Sequence, residues 1–203
     1  MKYFHSSLLL AAALFGAGGC SIFPTPANTE TRYYDLDIPP RSDTNIQIEV
    51  STFSTSAAER YRMSVRENGN LISGRDFHKW AQTPGPLVTK YLRLAFRCKP
   101  DETPAADKQI SREENICRLS GSILLFEEDH KTAKLALHYR LSAGDAAEKV
   151  MISHTILVEQ EMESSTPEAF AKAMSQAAAK AAKRILADAE AMMKSRQQKS
   201  SRK

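Results

Sequence analysis

Three runs of alternating apolar residues constrain the second half of this 203-residue chain. Cys117, Leu119, Gly121, Ile123 and Leu125 form the first run. Ala133, Leu135, Leu137, Tyr139 and Leu141 form the second, and Val150, Ile152, Ile156 and Val158 the third. A period of two places one set on each face of a strand. The breaks Glu127-Glu128-Asp129-His130 and Ser142-Ala143-Gly144-Asp145 read as turns. Short turns join antiparallel neighbours, so the expectation is a meander with one wet face. The acids at the first turn are expected to be solvated.

A helix should follow. Ser165-Thr166-Pro167-Glu168 combines a hydroxyl cap, an early proline and an early acid. Phe170, Met174, Ala177, Ala181, Ile185 and Ala189 then recur on one stripe, to about Met193. Small alanines let such a helix lie close on a sheet, so the stripe reads as core.

The first half is less regular. Tyr33, Tyr34 and Leu36 form a short extended stretch that stops at Pro39-Pro40. Ile46, Ile48 and Val50 alternate, as do Tyr61, Met63 and Val65. Asn68-Gly69 supplies the positive φ angles of a hairpin turn, with Val65 expected opposite Ile72. Trp80 precedes Pro84 and Pro86, which open a helix carrying Leu87, Tyr91, Leu94 and Ala95 and ending before Lys99-Pro100. A lone Trp in that position reads as a core keystone. Residues 100–115 are polar and read as a long exposed loop. The expected fold is α+β: a single mostly antiparallel sheet with two helices packed on one face.

The N-terminus sets the compartment. Lys2, the apolar run Leu8–Phe15 and the small residues Ala17-Gly18-Gly19 make a secretory signal over residues 1–19. Its end at Cys20 resembles a bacterial lipobox, with Ala17 where Leu is usual. Lipid on Cys20 is the expected covalent group, and no other cofactor is expected. An ordinary signal peptide cleaved near Ala17 or Gly19 is the alternative. Ser21 in place of Asp after the cysteine resembles an outer-membrane address. Residues 20–31 form a Pro- and Thr-rich tether that reaches at most roughly 40 Å.

Charge narrows the partners. The formal net charge is +4, yet Lys194, Arg196, Lys199, Arg202 and Lys203 alone hold five positive charges. Without these and Lys2, 22 basic side chains face 24 acidic ones. A near-neutral body argues against nucleic acid. The domain expected between is therefore 32–193, followed by a basic disordered tail at 194–203.

Catalytic patterns are missing. His78, His130, His138 and His154 have no metal-ligand spacing, and pairing of the last two strands should send His138 and His154 to opposite faces. No nucleophile elbow, zinc-protease helix or phosphate loop is present. No catalytic residue and no metal are expected. Cys98 and Cys117 flank the polar loop and, in an oxidising compartment, are an expected disulfide. Two buried free thiols are the alternative.

A lipobox followed by Arg32-Tyr33-Tyr34-Asp35-Leu36 resembles the ABC-type transport auxiliary lipoprotein family of PqiC-like proteins. Tyr34 and Leu36 match its opening Tyr-x-Leu. The hairpin from Tyr61 to Ile72 and then Trp80-Ala81-Gln82-Thr83-Pro84 resemble its second signature. Leu119-Ser120-Gly121 and the Ala-rich final helix fit the rest. The resemblance implies an outer-membrane lipoprotein facing the periplasm. It would work with an inner-membrane ABC transporter and an MCE-domain (mammalian cell entry) periplasmic tunnel that moves phospholipid or other hydrophobic molecules between membranes. Assembly with further copies of itself is left open. The rival expectation is a non-enzymatic envelope-assembly lipoprotein serving lipopolysaccharide or outer-membrane protein insertion.

Overall fold

The 14-residue strand β6 (Ile116–Asp129) is the spine of the sheet. In this computed structural model, residues 30–42, 44, 46–56, 61–97, 116–144 and 150–200 are described. Along one edge β6 meets β7 (Thr132–Ala143), which in turn meets β8 (Val150–Glu161), both antiparallel. Along its other edge lie three short strands in succession: β2 (Gln47–Val50), β3 (Ser54–Thr55) and β4 (Arg62–Glu67). All three run parallel to β6. Strand β5 (Leu71–Trp80) folds back antiparallel on β4, and β1 (Arg32–Tyr34) pairs parallel with its end.

The sheet is therefore mixed, which corrects the expected mostly antiparallel one. Four of the pairings are parallel and three antiparallel. Alternation reports which face a residue occupies, not the direction of its neighbour. The crossover from β5 to β6 includes helix α1 (Pro84–Ala95), and it returns the chain parallel to β4.

Helix α1 packs on β2, β3 and β6, helix α2 (Pro167–Ser200) on β6, β7 and β8, and the two touch each other. One core fills the space between them and the sheet. Leu119, Leu135, Leu137, Tyr139, Leu141, Phe170, Met174, Ala177 and Ile185 are fully buried there. Thr166 caps α2 by accepting the Ala169 N–H at 3.2 Å, and Pro167 follows as its first residue. The helix continues past Met193 to Ser200, so the first seven residues of the expected disordered tail are helical.

Three details depart from the alternation pattern. A bulge between Ile123 and Leu125 shifts β6, so Phe126 rather than Leu125 joins the buried face. Strand β6 then runs through Glu127, Glu128 and Asp129, and the turn is His130-Lys131 alone. At the β4–β5 hairpin, Glu67 pairs with Leu71 and Val65 with Ser73, one residue off the expected register. Two glycines make room for Phe53 in the core. A Cβ on Gly85 would lie 2.3 Å from the Phe53 carbonyl oxygen, and one on Gly121 would lie 2.6 Å from its ring.

Candidate functional site

The β4–β5 hairpin tip and the β6–β7 turn project from the same end of the sheet, because β4 and β6 are parallel neighbours there. Between them opens a cleft of about 500 Å³. Arg66, Glu67 and Asn68 line it from the hairpin, Glu128, His130 and Lys131 from the turn, and Ser165 from the entry to α2.

Its base is held by ions. Glu127 accepts two hydrogen bonds from Arg66, from Nε at 2.6 Å and from Nη2 at 2.8 Å. Glu128, on the opposite face of the strand, accepts from Arg75 Nη2 at 2.6 Å. The same nitrogen donates to the Ser165 carbonyl at 3.0 Å and so ties the entry of α2 to the sheet. Both carboxylates are buried, at 4% exposure. The expectation of solvated turn acids is corrected: β6 continues through all three acids, and β4 and β5 bring Arg66 and Arg75 onto Glu127 and Glu128. Asp129 is held below its ordinary carboxylate value, first by its hydrogen bond from Lys134.

The rim is less relaxed. His130 and Lys131 have φ of 46° and 62°, the left-handed region that favours glycine. Placing side chains there costs roughly 1–2 kcal/mol per residue. The hairpin is pinned by Arg66 Nη1, which donates to the Gly69 carbonyl at 3.0 Å.

Two clusters elsewhere resemble catalytic sets in composition only. On the helical face, Tyr139 donates to Asp188, and His154 Nδ1 lies 2.7 Å from the same carboxylate oxygen. Arg184 adds a 3.4 Å ion pair. Burial raises the Tyr139 phenol far above its ordinary value, and the bond to Asp188 adds to this. Burial also pushes Asp188 up, but the bonds from Tyr139 and His154 outweigh it and hold the carboxyl below its usual 3.8. Tyr139 is fully buried, so this is a clamp between α2 and the sheet. On the open face, Ser153 Oγ lies 3.2 Å from His138 Nε2, but the other ring nitrogen meets the Thr155 hydroxyl and not a carboxylate. His138 and His154 do lie on opposite faces, paired with Thr155 and Tyr139 respectively. Among the described residues no group of three or more His, Cys, Asp or Glu side chains could hold a metal ion.

The residues singled out in the sequence fall as follows. Trp80 is 1% exposed and meets Phe126 and Phe170 edge-on, with centroids 5.0 and 5.4 Å away. Tyr34 donates to Glu168 at 2.8 Å and lies 2.9 Å from His78 Nδ1. Leu36 is buried, and Pro84 begins α1. Cys117 is a buried free cysteine whose thiol burial pushes up to about 11. Cys20 and Cys98 lie outside the described residues. The Arg66–Glu127 pair escaped the sequence reading because its members are 61 residues apart.

Known proteins bear on this geometry. The fold is similar to that of protein XCC0632 from Xanthomonas campestris, described as family-model DUF330. That likeness has a TM-score of 0.62 at 17% identity and covers 85% of this chain and all of the other. A second crystal structure, of an uncharacterized protein, gives a TM-score of 0.60 at 11% identity, covering 78% and 98%. No curated protein matches the chain in sequence. The model of the ABC-type transport auxiliary lipoprotein component family matches residues 37–186, and the chain belongs to that family.

Proposed function

We propose that this chain is an outer-membrane lipoprotein, anchored by lipid on Cys20, that docks the MCE-domain tunnel of an inner-membrane ABC transporter. Family membership across residues 37–186 is the observation that carries this reading. Cargo lipid would pass through the tunnel, and this chain would hold it at the outer membrane without hydrolysing ATP. Assembly with further copies of the chain is compatible with that role.

The cleft between the β4–β5 hairpin and the β6–β7 turn is the docking site we favour. Buried ion pairs give it a rigid base, and two non-glycine residues hold side chains at its rim in a costly backbone conformation. Such strain persists where side chains have a use that glycine could not serve.

Two experiments test the proposal. Cys20→Ala should release the protein into the soluble periplasmic fraction; retention in washed membranes would remove the lipid anchor from the account. Isolation of the intact chain from gently solubilised envelopes should bring down an MCE-domain protein with its ABC transporter. Recovery only of lipopolysaccharide or outer-membrane protein assembly factors would replace this function with the rival one.

A further inference from the structure

Three exposed aromatics gather around one register row of the sheet. Tyr33 on β1 and Arg62 on β4 both pair with Lys79 on β5. Tyr61 precedes Arg62, and its carbonyl accepts the Trp80 N–H. Phe77 lies two residues before Lys79 on β5. Tyr33 is 66% exposed, Tyr61 50% and Phe77 46%, in contrast to the fully buried Trp80 beside them. Neighbouring strands are about 4.8 Å apart, so the row Tyr33–Lys79–Arg62 spans about 10 Å. Arg32 adds a third cation at this edge. Its ion pair with Glu168 is long, at 3.8 Å, and Arg62 likewise has an exposed 3.4 Å pair with Asp76, so two of the three cations carry solvent-exposed partners and Lys79 gives the edge its net positive charge.

We infer that this aromatic and cationic edge rests on the lipid surface to which Cys20 anchors the chain. The inference depends on the proposed anchor and adds an orientation to it. Covalent connection favours lipid over a protein as the occupant. Tyr33 lies only 13 residues after Cys20, so the intervening chain limits how far this edge can stand from the membrane. The chemistry agrees. Tyrosine rings sit at headgroup level, with the ring toward acyl chains and the hydroxyl toward water. Cations beside them meet lipid phosphates. The Lys79 side chain has no hydrogen-bond or ion-pair partner among the described residues and is free to do so.

The placement also explains the length of the β4–β5 ribbon. Lys79 and Leu71 on β5 pair with Arg62 and Glu67 on β4, five residues apart, a distance of about 17 Å at strand rise, the surplus residues of β5 being taken up in an irregularity. The lipid-facing edge lies at one end of the ribbon and the docking cleft at the other. The partner is thereby met away from the headgroups.

One added tryptophan at a time tests this in the full lipidated chain, reconstituted into vesicles of phosphatidylethanolamine and phosphatidylglycerol with brominated acyl chains. Tyr33→Trp and Phe77→Trp should each lose emission relative to vesicles without bromine. Leu157→Trp, on exposed β8 at the other edge of the sheet, should not. Wild type supplies the Trp80 background, and far-ultraviolet circular dichroism checks that each variant is folded. Flotation with the vesicles but equal emission at all three positions would overturn the lipid-facing edge while leaving the anchor intact. Failure of the wild-type chain to float would overturn the anchor and the edge with it.

Discussion

The two halves of the sheet are held by different forces. In the β6–β8 meander with α2, inward positions carry apolar side chains, and Leu135, Leu137, Tyr139 and Leu141 are all fully buried. Buried polar side chains there are few: Ser175 on α2, the clamp at Asp188, and Glu127 and Glu128 at the end of β6. In the half made by β1, β4 and β5, the interior admits Arg75 beside Glu128, and three aromatics stay outside. The first half gains stability from continuous apolar burial. The second is fastened by a few specific contacts, which leaves its surface available to a partner and to lipid.

Trp80 joins the halves, so its removal should have the largest effect. Trp80→Ala should cost about 3–5 kcal/mol, read as a drop in denaturation midpoint. A loss near zero would mean that the two halves are stable independently.

Glu127→Ala tests the ionic fastening. It leaves Arg66 without its carboxylate, and a loss of about 3 kcal/mol is expected. That is the lower end for a buried pair, because Arg66 is about a fifth exposed. Glu127→Gln and Arg66→Met together should recover part of the loss, since the desolvated charges are then absent.

Cys117 is free in the structure; the disulfide with Cys98 expected from the sequence would, once formed by oxidation, close a loop of about 20 residues and contribute roughly 3 kcal/mol. Alkylation of the unfolded, unreduced protein should label no thiol at either position. Labelling of both would show that Cys117 is a free buried thiol that stabilises by packing alone.

The clamp predicts a smaller effect that depends on pH. Hydrogen bonds to a buried carboxylate contribute about 1.5–3 kcal/mol, which Asp188→Asn should largely forfeit at neutral pH. Because Asp188 is depressed in the folded state, its contribution is present above the ordinary 3.8 and is lost as pH falls through the folded value. The deficit of the variant should therefore shrink on acidification. A constant deficit would assign the effect to packing.

Truncation after Met193 should matter least, at under about 0.5 kcal/mol. Met192 and Met193 are buried, whereas Lys194, Ser195, Gln197 and Gln198 are exposed.

The halves also differ in how far they could be read from sequence. Alternation over 133–141 and 150–158, and the stripe from Phe170 to Ala189, identified faces correctly because the pairings lie between neighbours in sequence. The parallel placement of β2 and β4 could not be read, since Ile48 and Cys117 are brought together only after a hairpin and a helix intervene. The bulge at Leu124 was hidden for a related reason. Leu124, Leu125 and Phe126 are all apolar, so local pattern does not choose which of them faces inward. Glu127 and Glu128 point to opposite faces, so that shift alone does not bury them; Arg66 on β4 and Arg75 on β5 cover one each. Family likeness pointed to a transport auxiliary lipoprotein, while the cleft proposed for docking emerged only from the tertiary pairing of β4 with β6.

Site-specific crosslinking in the native envelope tests the central claim most directly. A photoreactive residue would replace Asn70 at the hairpin tip in one chain and Lys180 on the exposed side of α2 in another. The account predicts an adduct with an MCE-domain protein from Asn70 and none from Lys180. An MCE adduct from Lys180 alone, or adducts from Asn70 only with proteins outside such a transport system, would contradict it.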